Sequence, residues 1–420
     1  MTRFLLAIWG ISIAFQSLAI NIGGSPLLFS TVTELLLIIA LIASPSNPAA
    51  PAQSSWVRWI QCFGVVAIVS AIVLPFLFAG TPAFVPRLTI DEQVGAMNPV
   101  AFGVSNIAQA GYLSLNLMLL GMLSRRLNRE DVLIAFHRAA QLGAVLALST
   151  IMLDYLDAPV WSGLLKDALR TNEAGMLFDE LSVDGERRIF GMFSEPSYAG
   201  VYCAAYSGYF ITRAWFNGHS FTDWLYALLL GWAVIITTSS LGTIGLVIAG
   251  TALLWSVPAS RKAVQIGGFA AVILAMLLID DPLSYLEFDK LDTLSAINRL
   301  ASDLRSVELV QETGGLGVGL GSHRASSLLS TLFATTGIIG GSLFLIAVFK
   351  ATKACLVGGK VQPGQPIFVF LCVAAGCLLA GLAEVSSPLL WIGLVSSSCI
   401  VATPPQRKSD SVTAAVPSHH

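Results

Sequence analysis

Apolar segments alternate with short polar connections along almost the whole chain, and two long polar loops interrupt the pattern. Each apolar segment is near the length of about 17–25 residues that a transmembrane helix needs. The two polar loops lie at 154–195 and 280–324. The pattern predicts an all-α polytopic membrane protein with about twelve transmembrane helices, near 4–20, 27–43, 60–79, 101–123, 132–153, 196–213, 224–238, 240–256, 263–279, 326–349, 366–381 and 386–402.

The span layout has an alternative interpretation at two places. The polar run Thr237–Ser240 divides one long apolar stretch into two spans, and a single tilted helix is the alternative. The first span has the length of a signal peptide, but only Arg3 precedes it and no clear cleavage site follows. We therefore expect an uncleaved anchor at the start of the chain.

Composition supports the membrane assignment and excludes several classes of protein. Charged residues make up 11% of the chain and hydrophobic residues 55%, whereas about 25% of the residues of a soluble domain are charged. The net charge of −2 argues against a nucleic-acid partner. The six cysteines have neither disulfide nor zinc spacing. We expect one membrane domain over 1–402, with the two loops capping its site, and a polar, disordered cytoplasmic tail over 403–420.

Lysine and arginine are concentrated in one set of connections between the predicted spans. That set contains twelve basic residues against four acids. Because cytoplasmic connections carry an excess of Lys and Arg, this set and both termini are expected to be cytoplasmic. The loops at 154–195 and 280–324 then face the periplasm or exterior, where ATP and reducing cofactors are absent.

The first long loop predicts a surface helix followed by a polar approach to the next span. Trp161, Leu164, Leu165, Ala168 and Leu169 recur at helical spacing, so the segment either lies in the membrane interface or packs over the bundle.

Glu195 stands directly before Pro196, which suits the first turn of a helix. Its carboxylate either complements the helix dipole or, partly desolvated, serves as a base with a raised pKa.

The second long loop also begins as a helix, with one apolar face built from Leu294, Ile297, Leu300, Ala301, Leu304 and Val307. Arg299 and Asp303 are four residues apart and could pair with each other. A run of alternating glycines follows over 314–321, then His323 and Arg324. The run lacks the strand–helix context and Gly-Lys-Ser/Thr of a nucleotide loop, but its backbone amides could approach an anion.

Three stretches of the chain resemble the O-antigen polymerase and ligase superfamily, the Wzy-like membrane glycosyltransferases of bacterial surface polysaccharide assembly. They are Arg188–Gly200 (R-x-x-G-x-F-S-E-P-S-x-x-G), the Thr/Ser-rich break and following glycine of Thr237–Gly245, and Gly315–Gly341. With the span layout, the resemblance covers most of the chain. It implies a GT-C-like glycosyltransferase architecture in the bacterial inner membrane with the site facing the periplasm.

The resemblance also implies a metal-independent transfer without cofactors, from a glycan on undecaprenyl pyrophosphate to the hydroxyl of an acceptor glycan. The charge that develops on the leaving pyrophosphate would need fixed cations, and arginine binds phosphate with two parallel hydrogen bonds. Arg188, Arg299 and Arg324 are the expected pyrophosphate clamp, with Arg187 and Arg305 in reserve. His323 and Glu195 are the candidates for proton transfer, and His323 is expected to matter more.

Three functions remain open at this point. A polymerase of lipid-linked repeat units, with a chain-length regulator as an expected partner, would use an acceptor on the same carrier lipid. A ligase would move the finished glycan to another acceptor, such as lipid A core or protein. A transporter would require paired charges near the midplane and internal repeats, but Glu34 is the only acid well inside a predicted span and the two halves show no convincing repeat.

Overall fold

The computed structural model describes residues 1–22, 25–45, 54–84, 97–172, 187–216, 220–256, 294–358 and 364–400. These residues are mostly helical. The helices are α1 (Thr2–Ser12), α2 (Phe29–Ala43), α3 (Ser55–Leu77), α4 (Val104–Arg126), α5 (Arg129–Tyr155), α6 (Lys166–Leu169, after a π-helical turn at Trp161–Leu165), α7 (Pro196–Phe216), α8 (Phe221–Ile236), α9 (Ser240–Ser256), α10 (Leu294–Glu312), α11 (Leu328–Gly358), α12 (Gly364–Gly381) and α13 (Pro388–Ser398).

Within the described ranges, a helix is present at eleven of the predicted spans. The ninth prediction, near 263–279, and the tail from 403 lie outside those ranges. Four helices, α3, α5, α11 and α12, are long and apolar enough to cross a membrane, and α1, α2, α8, α9 and α13 are shorter apolar helices. The chain is therefore a helical membrane protein.

Two antiparallel hairpins interrupt the helices at one end of the bundle. The strand β1 (Ala19–Ile22) pairs with β2 (Ser25–Leu28), and β3 (Pro82–Phe84) pairs with β4 (Met97–Pro99). Helix α1 consequently ends at Ser12, well before the predicted position 20. Ser12 Oγ donates to Trp9 O at 2.6 Å and lies 2.8 Å from Thr33 Oγ1, at hydrogen-bond distance. The hydroxyl of the last helical residue therefore has its hydrogen-bond partners within the protein.

The division at Thr237–Ser240 is a turn between two helices and not the middle of one. Helix α8 ends at Ile236, and Thr238 has a positive φ of 47°, outside the right-handed helical region, so α8 cannot continue through it. Both α8 and α9 pack on α7. The close approach of α7 to α9 needs glycine on both helices, because a Cβ on Gly242 would lie 2.8 Å from the Cα of Gly200.

The lipid-facing and core-facing sides of the helices are clearly separated. One core runs from Leu6 in α1 to Ile400 beyond α13, while α3 exposes Val65, Val69 and Ile72 along one side. Helix α10 also exposes its predicted apolar face, with Ile297, Leu300, Leu304 and Val307 each more than half exposed. Its opposite side, including Leu309, packs against the β3–β4 hairpin in a second small core.

Basic side chains join the helix ends opposite the hairpins. Arg126 at the end of α4 donates to the backbone carbonyls of Leu41, Ile42 and Ser44, which are left free at the end of α2. Arg3 pairs with Asp131 across 3.0 Å. The starts of α1 and α5 therefore lie at the same end of the bundle as the ends of α2 and α4.

Helix α11 is broken in its first half by the glycine-rich loop. Gly337 has φ 69° inside the helix, and a Cβ at this position would collide with the carbonyl oxygens of Gly315 and Leu316. The amides of Val318 and Gly319 donate to Ala334 O and Thr335 O at 2.8 and 2.9 Å. The loop thus satisfies carbonyls that the break in α11 leaves without helical partners.

We predict that the two ends of the bundle lie on opposite sides of the membrane. Gln311→Cys, at the hairpin end, should react with a membrane-impermeant maleimide in cells whose outer membrane is permeabilised, whereas Glu130→Cys should react only after lysis. Both variants would carry Cys62→Ser, because Cys62 is the one exposed cysteine. Labelling of Glu130→Cys alone in intact cells would reverse the orientation, and equal labelling of both would contradict a membrane between them.

Candidate functional site

The Asp154 carboxylate organises the first half of the site. It lies at the end of α5, is 2% exposed, and accepts hydrogen bonds from the amides of Phe190 and Gly191 at 3.0 and 2.9 Å. Trp161 Nε1 donates to its other oxygen at 2.9 Å. One buried carboxylate thereby holds the π-helical turn and the approach to α7 in a single arrangement.

Arg170 closes this arrangement from the other side. Its side chain is 1% exposed and pairs with Asp154 across 3.3 Å. Its Nε and Nη2 both donate to Gly191 O, at 2.9 and 2.7 Å, and its guanidinium lies 4.1 Å from the centre of the Phe190 ring. Because Phe190 and Gly191 are held on both sides, the neighbouring Arg188 and Glu195 have defined positions.

The two reserve arginines are both committed to ion pairs. Arg187 pairs with Asp154 and, across 2.6 Å, with Asp157. Arg305 pairs with Glu308 and Glu312, each across 2.7 Å, and donates to Pro82 O at 3.0 Å. Hydrogen bonds to Glu312 raise the pKa of Arg305. These two side chains hold the loops together and are not part of the cluster that Arg188, Arg299 and Arg324 form with Glu195.

Arg188, Arg299 and Arg324 come from three separate segments, and all three lie close enough to Glu195 to act on its charge. The Glu195 carboxyl is partly buried at the start of α7, and desolvation raises its pKa, while Arg299, Arg324 and Arg188 act to lower it. Desolvation also lowers the pKa of Arg188, against the effect of Glu195. The expected clamp and one expected base are thus brought into one site.

The suggested pairing of Arg299 with Asp303 does not occur. Asp303 instead accepts hydrogen bonds from the amide of Ser326 at 3.2 Å and from its hydroxyl at 2.6 Å. Arg299 has no carboxylate within ion-pair distance in the described ranges, and its charge further lowers the pKa of Arg188. Neither Arg188 nor Arg299 therefore makes a close ion pair in the described ranges, and Glu195 offsets their charge only in part.

Glu384 and Tyr198 complete the cluster and were not predicted from the sequence. Arg324 Nη2 lies 4.0 Å from Glu384 Oε1, and the buried Tyr198 hydroxyl lies near the same carboxyl but makes no hydrogen bond within the described residues. Glu384 is the only charged residue between Lys360 and Arg407, which was a usable signal. Three guanidiniums against Glu195 and Glu384 leave one positive charge, or two when the desolvated Glu195 is protonated.

His323 has a different environment from the one expected of a catalytic base. Its Nδ1 accepts from the amide of Phe84 at 3.2 Å, so its Nε2 carries the proton and donates to Ser306 Oγ at 2.8 Å. Burial lowers its pKa to about 4, and the charge of Arg305 acts in the same direction. The ring is neutral and ties β3 to α10 beside Arg324, whose own amide donates to Phe84 O at 2.7 Å.

Most amides of the glycine-rich loop are already hydrogen-bonded within the protein and are not free to bind an anion. The amides of Val318 and Gly319 donate to backbone carbonyls at the break in α11. The amides of Gly317 and Leu320 donate to Thr313 Oγ1 and Ser70 Oγ. Asn106 Nδ2 fixes the loop by donating to Leu320 O at 2.8 Å. The loop therefore contributes shape, and the arginines contribute the positive charge.

The arrangement can bind an anionic group and take up a proton beside it. No group of three or more metal-binding side chains is present in the ranges that the structure describes. Arginine is always charged and can donate two parallel hydrogen bonds to a phosphate, whereas a desolvated carboxyl can exchange a proton near neutral pH.

Comparisons with known proteins add no assignment. No protein-family model matches the chain, and no curated protein matches its sequence.

We predict that Asp154→Asn strongly destabilises the protein, because it leaves the Arg170 charge buried without a counter-ion. Losing one partner of a buried pair costs about 3–5 kcal/mol. Asp157→Asn is the matched control, since Asp157 is 69% exposed and a surface pair contributes about 0–1 kcal/mol. The free energy of unfolding in detergent would be measured for both, and equal small losses would contradict the role assigned to Asp154.

Proposed function

We propose that this protein is a polymerase of lipid-linked oligosaccharide repeat units, which transfers glycan from undecaprenyl pyrophosphate to an acceptor glycan. The observation that carries the proposal is the incompletely neutralised cluster of Arg188, Arg299 and Arg324 around Glu195. In this proposal the chain has twelve membrane spans and a GT-C-like architecture, and both long loops lie at the periplasmic face of the bacterial inner membrane.

The arginine cluster suits a pyrophosphate leaving group. During transfer the acceptor oxygen forms a bond to the anomeric carbon, and the bond from that carbon to the pyrophosphate oxygen breaks. Negative charge then grows on the leaving group, where prearranged cations stabilise it most effectively. Because Arg188 and Arg299 already repel each other, binding an anion between them also relieves an unfavourable interaction in the free protein.

Glu195 is the better placed of the two candidate bases. It stands among the arginines that would hold the pyrophosphate, and its raised pKa suits it to accept the proton of the acceptor hydroxyl. His323 bonds through both ring nitrogens, so we assign it a positioning role for Arg324. Arg187 and Arg305 have the same kind of role for the two loops.

A ligase is the second candidate, because the same cluster would serve a donor on the same lipid. The two activities differ only in the acceptor. The exposed apolar face of α10 favours a polymerase or a ligase over a transporter. A helix that presents its apolar side outward at the arginine end is suited to lie at the membrane surface. In that position, Arg299 could meet the lipid pyrophosphate of the donor.

We predict that Arg188→Ala, Arg299→Ala and Arg324→Ala each lower polymerisation by purified protein by at least about 100-fold, because each removes transition-state charge stabilisation. Lysine replacements should restore little, since an ammonium lacks the guanidinium fork. The assay would use lipid-linked repeat units with EDTA present. Arg3→Ala is the control, an exposed, ion-paired arginine at the opposite end. Unchanged rates in all three alanine variants would refute the clamp.

We predict that activity falls at low pH as Glu195 becomes protonated. Because bound pyrophosphate would offset the arginines that lower the Glu195 pKa, the acid limb of kcat should lie at higher pH than that of kcat/KM. Glu195→Gln should abolish this limb and lower kcat by about 10²–10⁴-fold. His323→Gln should keep the pH profile and lose activity only through misplaced Arg324. The reverse pattern, with the limb lost in His323→Gln alone, would make His323 the base.

A further inference from the structure

A cavity of about 140 Å³, lined by both apolar and polar side chains, adjoins the arginine site inside the helical bundle. Helices α2, α4 and α11 and the connection before α13 form its walls. Arg324 and Glu384 belong to the same lining, so the cavity and the arginine cluster share a boundary.

Three helices turn polar side chains toward this cavity. Gln109, Tyr112 and Asn116 lie three and four residues apart on one face of α4, and Thr331 and Thr335 lie four apart on α11. Polar residues within membrane helices are expensive and usually mark a functional pathway or site. The helical spacing places each set of polar residues on one face of its own helix.

Two of the lining side chains carry buried acceptors without a partner. Glu34 on α2 is 4% exposed and Asn116 is 3% exposed. Glu34 Oε1 and Asn116 Oδ1 make no hydrogen bond to any part of the chain that the structure describes, and the same holds for Ser386 Oγ. Buried acceptors left unpaired destabilise a protein, so these atoms favour a ligand with several hydrogen-bond donors.

The size of the cavity restricts that ligand. A cavity of about 150 Å³ is large enough for benzene, so about one six-membered ring can be accommodated here. A pyranose also has a six-membered ring, and its hydroxyls are the donors that Glu34 and Asn116 lack. A lipid chain would leave the acceptors unpaired, and an oligosaccharide would not fit.

We propose that this cavity binds the pyranose ring bonded directly to the donor pyrophosphate, with Glu34 and Asn116 accepting hydrogen bonds from its hydroxyls. The inference rests on the proposed function. Arg324 belongs both to the clamp and to the cavity wall. In the donor, C1 of the sugar is bonded directly to a phosphate oxygen, so a sugar in the cavity would have its phosphate beside Arg324. Glu34 and Asn116 are then the residues that select the first sugar of the repeat unit.

The test compares farnesyl pyrophosphate with a panel of farnesyl-pyrophosphoryl monosaccharides carrying glucose, galactose, N-acetylglucosamine or N-acetylgalactosamine. Affinities would be measured on purified protein in nanodiscs by native mass spectrometry, together with thermal unfolding. At least one sugar should bind about tenfold more tightly than farnesyl pyrophosphate, the gain expected from about one good hydrogen bond. Glu34→Leu and Asn116→Leu should abolish that gain while leaving the affinity for farnesyl pyrophosphate unchanged.

The controls separate this inference from the proposed function. Glu34→Leu should unfold at the same or a higher temperature, because it removes an unpaired buried carboxyl, and Ser30→Ala on the same helix should alter neither binding nor stability. Equal binding of all compounds by the unaltered protein, or a sugar gain that survives both leucine variants, would overturn the sugar site while the clamp stands. Failure of farnesyl pyrophosphate to bind at all would overturn the clamp and the sugar site together.

Discussion

The buried Asp154 carboxylate is the interaction on which the arrangement of the site depends. It satisfies two backbone amides, an indole and a buried guanidinium at once. A carboxylate away from water needs such partners, and each partner in turn fixes a different part of the first loop. Arg188 and Glu195 stand on either side of the segment that Asp154 and Arg170 hold, so their positions follow from this one group.

The second half of the site is held by neutral hydrogen bonds. His323 links β3 to α10, and the glycine-rich loop fills the break in α11. The backbone that carries the Arg324 side chain is therefore held in place. The arginines that brace the loops, Arg187 and Arg305, are neutralised by neighbouring acids. The charges of the three arginines proposed to bind substrate are only partly offset by neighbouring acids. The distinction between bracing and binding arginines therefore rests on which guanidiniums find a close carboxylate.

Much of this organisation could be predicted from the pattern of the sequence. Apolar length located eleven of the described helices, and the polar run at Thr237–Ser240 correctly divided α8 from α9. The choice of Arg188 over Arg187 could not be made from the sequence, because it depends on Asp154, which is more than thirty residues away. The glycines between 314 and 321 indicated close backbone approach, but the partner proved to be α11. Glu384 and the cavity around Glu34 arise from contacts between distant helices, which periodicity does not report.

The central claim is that an incompletely neutralised arginine cluster binds the pyrophosphate of a lipid-linked glycan. The most direct measurement is a cryo-electron microscopy structure of the protein in nanodiscs with farnesyl pyrophosphate and EDTA. We expect phosphate density at hydrogen-bond distance, about 2.7–2.9 Å, from the guanidiniums of Arg188, Arg299 and Arg324. Phosphate bound elsewhere, or an empty cluster at saturating farnesyl pyrophosphate, would contradict it.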